Sequence, residues 1–196
     1  METRLQGRRR LSAEGRKTNW CVITGAPSSG KTSVIEELAR RGHAIQNEIA
    51  RDLIEECLRH GMTLSEVRGA EYAKELQQRI LKLKNAREME LEPATLIFSD
   101  RGTPDSVSYF RVAGLDTSLA VKASKVYRYR AVFILDRLPI KKDGVRTESD
   151  EQAAMLDAML EEDYRSLGYA PVRVPVLPIP ARADFILARL DAEKAA

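Results

Sequence analysis

The stretch Gly25-Ala26-Pro27-Ser28-Ser29-Gly30-Lys31-Thr32 decides the fold class of this chain. It meets the pattern GxxxxGK(S/T), in which the glycines permit positive φ and let the backbone approach an anion closely. The apolar run 20–24 precedes this stretch, and the amphipathic run 31–41 follows it. A strand, a glycine-rich turn and a helix in this order are the context that the pattern requires. The sequence therefore predicts a P-loop.

The residue types of this P-loop indicate which ligand it binds. Consecutive backbone N–H groups line an anion-binding concavity, and the following helix adds the positive end of its dipole. Lys31 supplies a point charge to the β- and γ-phosphates, and the Thr32 hydroxyl is a ligand for Mg²⁺. No guanine-reading (N/T)KxD segment occurs, so we expect ATP and Mg²⁺ as the cofactors. The expected nucleotide-binding residues of the loop are Gly25, Ala26, Pro27, Ser28, Ser29, Gly30, Lys31, Thr32 and Ser33.

Beyond the P-loop, short β-branched runs alternate with longer amphipathic stretches. We predict strands over 20–24, 43–46, 95–98, 130–135 and 172–176. We predict helices over 31–41, 47–60, 64–92, 104–112, 117–125, 148–167 and 183–192. Such alternation favours a parallel sheet with helices on both faces, the three-layer α/β/α sandwich of P-loop NTPases.

Composition and charge bound the domain organisation. The chain has 196 residues, of which 43% are hydrophobic and 31% charged, and we expect one P-loop domain over residues 19–196. Residues 1–18 are predicted to be a disordered tail, because they are basic and contain few apolar side chains. This tail is available for contacts with anions. The side chains of this tail carry a net charge of +4, against +3 for the whole chain, so the remainder is close to neutral and shows no clear nucleic-acid site.

The sequence also bears on the cellular compartment. No apolar run reaches the roughly 20 residues that a membrane-spanning helix needs, and the basic N-terminus lacks the apolar core of a secretory signal. Cys21 and Cys57 show no disulfide or metal-ligand spacing and are expected to be buried, reduced thiols. We therefore expect a cytoplasmic protein, and the sequence leaves its self-association open.

A carboxylate at the end of a neighbouring strand is the second part that a P-loop needs, because it organises the metal ion. Asp100 closes the apolar run 96–99 and fits this role, so it is predicted to join Thr32 in the metal site. Arg101 adjoins Asp100 at the sheet edge where ligands bind in open α/β folds. The alternative for Asp100 is a helix cap or a salt-bridged carboxylate on the surface.

Four further segments, together with the P-loop, resemble one known family. They are Asn47-Glu48-Ile49-Ala50-Arg51-Asp52-Leu53-Ile54, Asp100-Arg101-Gly102-Thr103-Pro104-Asp105, Asp143-Gly144-Val145-Arg146-Thr147-Glu148 and Tyr164-Arg165-Ser166-Leu167-Gly168-Tyr169. Over nearly all of residues 20–192, the chain resembles a P-loop family often labelled "AAA domain". That family joins the ribosylnicotinamide kinase domain of the bacterial NAD regulator with the TRP-channel translocation-defect protein. The first three segments in combination are its most specific part.

The resemblance implies a core of the nucleoside- and nucleotide-kinase type, with a parallel five-stranded sheet in the order 2-3-1-4-5. It places Glu48 where small-molecule kinases keep an acceptor-binding carboxylate, which could accept the proton of an attacking hydroxyl. The alternative for Glu48 is a first-turn acid that the helix dipole favours.

The resemblance also implies a lid around residues 141–146, from which Arg146 would stabilise charge at the γ-phosphate. The alternative is a solvated charged loop. Arg182, before the last predicted helix, is expected to border the base of the nucleotide. The predicted catalytic residues are Lys31, Glu48, Asp100, Arg101 and Arg146.

Two functions remain open from the sequence. The first is an ATP-dependent phosphotransferase that moves the γ-phosphate to a nucleoside-like or other small hydroxyl acceptor. The second is a regulatory switch that binds ATP or GTP, hydrolyses it slowly and binds a protein partner or an anionic lipid, as the basic tail favours. An oligomeric ATPase motor is disfavoured, because the sequence shows no arginine-finger segment and no helical lid domain after the core.

Overall fold

The structure, a computed structural model, describes residues 15–138 and 150–195. Its strands are β1 (Arg16–Lys17), β2 (Trp20–Thr24), β3 (Ala44–Gln46), β4 (Ile97–Asp100), β5 (Tyr127–Arg128), β6 (Ala131–Leu135) and β7 (Val172–Val174). Its helices are α1 (Lys31–Arg40), α2 (Ile49–Arg59), α3 (Leu64–Arg68), α4 (Ala70–Glu90), α5 (Asp105–Val112), α6 (Ser118–Ser124), α7 (Asp150–Ser166) and α8 (Ile179–Ala195).

Five of the strands form one parallel sheet in the order β3-β4-β2-β6-β7. Numbered along the chain within this sheet, the order is 2-3-1-4-5, and the predicted topology is confirmed. The central strand β2 is buried at all five positions, as expected for a parallel strand covered on both faces. Ile23 of β2 lies between Asp100 of β4 and Phe133 of β6. The P-loop that follows β2 therefore lies at the same sheet edge as Asp100.

The two faces of the sheet bury two different apolar clusters. On one face, Cys21 and Ile23 belong to a cluster that includes residues of α1 and α8. On the other face, Trp20 and Val22 belong to a cluster that includes Tyr164 of α7. Alternate side chains of a strand point to opposite faces, so β2 holds both helical layers. The predicted three-layer sandwich is confirmed.

Helices α2, α3 and α4 form a satellite layer around a small core of their own, which includes Leu53, Val67 and Ile80. The prediction of one helix over 64–92 is wrong in one respect. Gly69 is extended, with φ −60° and ψ 144°, and separates α3 from α4. Glycine is unfavourable inside a helix, so the break falls at this residue.

The element boundaries that differ most from the predictions lie near the two ends of the described part of the chain. The last helix begins at Ile179 rather than at 183, because Pro180 lies in the first turn, where a backbone N–H is not needed. The predicted tail 1–18 overlaps β1, which pairs in parallel with β5. Arg16 and Lys17 are therefore in a strand, before the predicted domain boundary. The remaining tail residues 1–14 and the predicted lid residue Arg146 lie outside the described residues.

Both cysteines, Cys21 and Cys57, are buried free thiols, as expected. Across residues 15–138 and 150–195, no helix combines the length and the apolar character that crossing a bilayer requires.

Candidate functional site

The P-loop connects the end of β2 to the start of α1. Gly25 and Gly30 have φ angles of 137° and 88°, in the range that glycine adopts without strain. A Cβ on Gly25 would lie 2.8 Å from the carbonyl oxygen of Leu135, so any other residue would push against strand β6. Gly30 is the N-cap residue of α1. The N–H groups of the first turn of α1 have no intrahelical acceptor and are available to an anion.

Lys31 lies within the concavity of this loop. Its Nζ donates to the carbonyl oxygens of Gly25 at 3.0 Å and Ala26 at 2.7 Å, and to Oγ of Ser29 at 3.3 Å. Burial, and then the nearby charge of Arg101, lower the pKa of Lys31 to about 7. Near neutral pH, an added anion would favour the charged form of this side chain.

A cleft of about 600 Å³ opens beside the P-loop. Its lining comes from the loop and α1, from Glu48 and α2, from α4, from Arg101 and from α5. The lining residues are Pro27, Ser28, Gly30, Lys31, Thr32, Ser33, Glu48, Ala50, Arg51, Ile54, Glu55, Leu76, Gln77, Ile80, Lys84, Arg101, Ser106 and Tyr109.

Asp100 is the last residue of β4 and is 6% exposed. Neither alternative role fits it, because it is not on the surface and the N-cap residue of α5 is Pro104. Its Oδ1 has no hydrogen-bond partner in the described part of the chain. Burial, and then the negative charge of Glu48, raise the pKa of Asp100 to about 6. Asp100 lines a second cavity of about 20 Å³, which shares the lining residues Lys84 and Arg101 with the main cleft, whereas Asp100 itself does not line the main cleft.

Arg101 and Glu48 form a largely buried ion pair at the wall of the cleft. The Nε of Arg101 donates to Oε1 of Glu48 at 2.7 Å, with the side chains 6% and 20% exposed. Glu48 is the N-cap residue of α2, but its side chain makes no cap hydrogen bond. Its carboxylate thus points to Arg101 rather than to the helix. Burial opposes ionisation of Glu48, but the charge and hydrogen bond of Arg101 hold its pKa below the usual value.

Asp105, which was not among the predicted site residues, joins the end of β2, directly before the P-loop, to Arg101. Its Oδ1 accepts hydrogen bonds from Oγ1 of Thr24 at 2.5 Å and from Nη1 of Arg101 at 3.2 Å. Its Oδ2 accepts from the N–H of Gly102 at 3.0 Å and from the hydroxyl of Tyr164 at 2.5 Å. Asp105 is 0% exposed. Burial opposes its ionisation, but the cations and donors around it hold its pKa below the usual value.

Helix α4 holds the turn that follows Arg101. The Nζ of Lys84 donates to the carbonyl oxygen of Gly102 at 2.8 Å. One residue later, Oγ1 of Thr103 donates to Oε1 of Glu88 at 2.8 Å. Arg101 itself has a φ of 68°, which is unfavourable for a residue with a side chain. The contacts from α4 and Asp105 hold the backbone in this conformation.

Arg182 holds the P-loop from α8, inside that helix rather than before it. Its Nη1 donates to the carbonyl oxygen of Ser29 at 2.6 Å, and its Nη2 donates to that of Asp136 at 3.3 Å. The side chain is 2% exposed. It thus ties the loop to the segment after β6. Its expected contact with a nucleotide base stays a prediction.

The structure therefore brings Glu48 and Arg101 to the cleft that the P-loop lines, whereas Asp100 lines the smaller cavity that shares Arg101 with it. It adds Asp105, Lys84 and Glu88. Asp105 was within a motif already singled out, whereas Lys84 and Glu88 are two of many charged residues on α4 and gave no signal.

Fold and site together define a P-loop protein with the sheet order of the kinase class. The family model AAA_28, described as "AAA domain", matches residues 20–182, and the chain belongs to this family. The family resemblance predicted from the sequence is confirmed. No curated protein matches the chain.

Solved structures of P-loop kinases share this fold at low sequence identity. The NadR protein solved in complex with NR is 18% identical, with a TM-score of 0.60 over 82% of this chain and 46% of that chain. Deoxyadenosine kinase from M. mycoides is 14% identical, with a TM-score of 0.61 over 88% of this chain and 99% of that chain. Shikimate kinase from Acinetobacter baumannii is 14% identical, with a TM-score of 0.54 over 93% and 97% of the two chains. This chain spans less than half the length of the NadR protein.

Proposed function

We propose that this chain is a cytoplasmic, Mg²⁺-ATP-dependent kinase that transfers the γ-phosphate to a hydroxyl group of a small, nucleoside-like acceptor. One observation carries the proposal: the P-loop and the Glu48–Arg101 pair line the same cleft of about 600 Å³. Glu48 is close enough to Lys31 for the lysine charge to lower its pKa. A charged carboxylate therefore lies at the phosphate end of the cleft, where an acceptor hydroxyl would have to be held.

In the proposed step, the acceptor oxygen bonds to the γ-phosphorus as the bond from that phosphorus to the β–γ bridging oxygen breaks, and ADP leaves. Glu48 accepts the hydrogen bond of the hydroxyl and then its proton. Arg101 keeps the Glu48 carboxylate in place, and Lys31 neutralises phosphate charge. Such reactions depend mainly on positioning and charge stabilisation, which suits a carboxylate of low pKa.

The residues at the P-loop fit a magnesium ion. Thr32 would bind it with its hydroxyl, and Asp100 directly or through water. The unpartnered Oδ1 of Asp100 can accept a hydrogen bond from such a water, and Asp100 is close enough to Lys31 for its charge to raise the pKa of that lysine. The described residues contain no cluster of three or more His, Cys, Asp or Glu side chains that could hold a metal. Mg²⁺ keeps waters and substrate phosphates as ligands, so one hydroxyl and one carboxylate are enough protein ligands, and it would neutralise charge on the transferred group.

The part of the cleft that α2 and α4 line is suited to a flat, uncharged ring. Ile54, Leu76 and Ile80 supply apolar surface, and Tyr109 supplies an aromatic ring. The amide of Gln77 also lines the cleft and can donate and accept hydrogen bonds at a ring edge. A nucleoside has such a ring and carries its hydroxyl groups on a sugar. Among the structural neighbours, the deoxyadenosine kinase is named for a substrate of this class.

The test is ATP consumption across a library of nucleosides, nucleotides and sugars, with the Lys31→Ala variant as the control. A thermal-shift screen with a MgATP analogue narrows the library first, since a ligand at 100 times its Kd stabilises by about 2.7 kcal/mol. We expect at least one acceptor to raise ADP formation well above the rate without acceptor. A rate that stays at this background with every compound would contradict the kinase proposal.

A nucleotide-dependent switch is the second candidate, and one observation favours it. A separate cavity of about 500 Å³ is lined by Lys17, Lys125 and Arg128, and the two lysines are exposed. An anionic partner or lipid would be attracted to this region, and the basic residues before Gly15 would add to the attraction. Nucleotide-dependent binding to anionic vesicles that Lys17→Glu and Lys125→Glu abolish, without any acceptor chemistry, would favour the switch.

A further inference from the structure

Arg51 is an exposed residue in the first turn of α2, and it lines the cleft beside the P-loop. It follows Glu48 by three residues, so the two side chains project from the same side of the helix start. Its Nη2 donates to Oγ1 of Thr32 at 3.5 Å, a long and weak contact. The guanidinium therefore lies next to the hydroxyl that we expect to bind Mg²⁺.

The cleft is lined by four cationic side chains, and three of them are engaged by the protein. Lys31 and Lys84 donate to backbone carbonyl groups, and Arg101 pairs with two carboxylates. Within the described residues, Arg51 has no carboxylate at salt-bridge distance. Its charge is therefore available to an anionic ligand of the cleft.

We propose that Arg51 is a further catalytic residue, whose guanidinium binds the γ-phosphoryl oxygens and stabilises the charge of the transition state. This role rests on the kinase function proposed above. Two cations at one hydroxyl repel each other, so the guanidinium of Arg51 would leave Thr32 if that hydroxyl held Mg²⁺. Because the side chain is exposed, it can turn to the phosphoryl group at the same end of the cleft.

An arginine is chemically suited to this role. Its planar guanidinium can form two parallel hydrogen bonds to phosphoryl oxygens, and it stays charged at every working pH. It forms no covalent bond and transfers no proton in the reaction. In other phosphoryl-transfer enzymes, an arginine at this group accelerates the reaction by about 10³- to 10⁵-fold.

The contact can be measured without an acceptor, by binding ADP and Mg²⁺ with beryllium or aluminium fluoride in place of the γ-phosphoryl group. The variants are Arg51→Met, Arg51→Lys and, as a matched control, Arg59→Met. Arg59 is exposed at the other end of α2 and does not line the cleft. We expect fluoride to tighten MgADP binding in the wild type and in Arg59→Met. In Arg51→Met this tightening falls at least about tenfold, whereas the Kd for MgADP without fluoride changes by less than about twofold. Arg51→Lys retains part of the fluoride-dependent tightening.

Single-turnover ATP consumption is the second readout, and in Arg51→Met it falls about 100-fold or more. Three outcomes would overturn the role of Arg51. The first is that fluoride tightens MgADP binding equally in the wild type and in Arg51→Met. The second is that fluoride does not tighten MgADP binding in a wild type that binds MgADP. The third is that Arg51→Met loses as much affinity for MgADP alone as for MgADP with fluoride. A wild type that binds MgADP no better than Lys31→Ala would instead overturn the kinase function, and the role of Arg51 with it.

Discussion

The two walls of the cleft are built in different ways. The wall at the P-loop is mainly backbone, with Gly25 and Gly30 at positive φ and the open N–H groups of α1. The opposite wall is made of side chains from α2, α4 and the turn after β4, and these hold one another. One contiguous stretch specifies the first wall, whereas the second forms only when several elements meet. A substitution in the first wall should therefore affect mainly its own contact with the ligand. A substitution in the second wall should also disturb the neighbouring side chains to which it is hydrogen-bonded.

The largest expected effect separates the two walls. Glu48→Gln removes the proton acceptor and weakens the pair with Arg101, so acceptor-dependent ATP consumption should fall about a thousandfold. Affinity for MgADP should stay within about threefold of the wild type, because the P-loop is unchanged. Steady-state kinetics measures the rate, and isothermal titration calorimetry measures the affinity for MgADP.

Glu55→Gln is the matched control for this change, because Glu55 lines the same cleft and is exposed. Glu55→Gln should keep the rate of acceptor-dependent ATP consumption within about threefold of the wild type. Comparable losses in both variants, or a parallel loss of MgADP affinity in Glu48→Gln, would mean that the two walls do not act separately.

The next effect is on stability. The buried carboxylate of Asp105 accepts four hydrogen bonds. In Asp105→Asn, the amide has only one acceptor oxygen, and its NH₂ group faces N–H or O–H groups that are themselves donors. Breaking such a buried network costs about 3 kcal/mol, and urea unfolding should show this loss in the free energy of unfolding. Because Asp105 joins Thr24 to Arg101, the rate of phosphoryl transfer should fall as well.

Asp52→Asn is the comparison for Asp105, since Asp52 pairs with Arg87 at the surface. Asp52→Asn should lower the free energy of unfolding by less than about 1 kcal/mol. If Asp105→Asn were as mild as Asp52→Asn, the second wall would not be the coupled network described above.

The contrast between the walls also explains what the sequence could predict. The P-loop is contiguous, so its residues and its place between a strand and a helix were readable directly. The sheet order followed from the family resemblance. Asp105 could not be assigned, because its partners Thr24 and Tyr164 are 81 and 59 residues away in the chain.

Local errors have local causes. Nothing in the amphipathic pattern of residues 64–92 marked the extended conformation of Gly69, since a single glycine is tolerated in many helices. The pairing of β1 with β5 is likewise a contact between distant segments of two residues each. Segments this short carry no periodicity that could reveal a strand.

Lys31→Ala tests the P-loop wall with a smaller expected effect. Loss of a charged donor to phosphate should weaken nucleotide binding about 30-fold, with the fold intact by circular dichroism. Phosphate favours the charged lysine, whose pKa is about 7 in the structure. The wild-type advantage over Lys31→Ala should thus be constant below pH 7 and decline above it. Unchanged nucleotide affinity in this variant would remove the central assignment of the P-loop.

The smallest effect concerns the Asp100 carboxylate, which precedes Arg101 of the second wall in the chain. The pKa of Asp100 is raised to about 6, and only the ionised carboxylate would contribute to the proposed Mg²⁺ site. The gain in nucleotide affinity from Mg²⁺ should therefore be constant above pH 6 and fall by up to tenfold per pH unit below it. In Asp100→Asn, the gain in nucleotide affinity from Mg²⁺ should be small at every pH. The ratio of the Kd values without and with Mg²⁺, in both proteins at the same pH, cancels the protonation of the nucleotide itself. An identical pH profile of this ratio in both proteins would place the metal away from Asp100 and leave the P-loop wall to bind it alone.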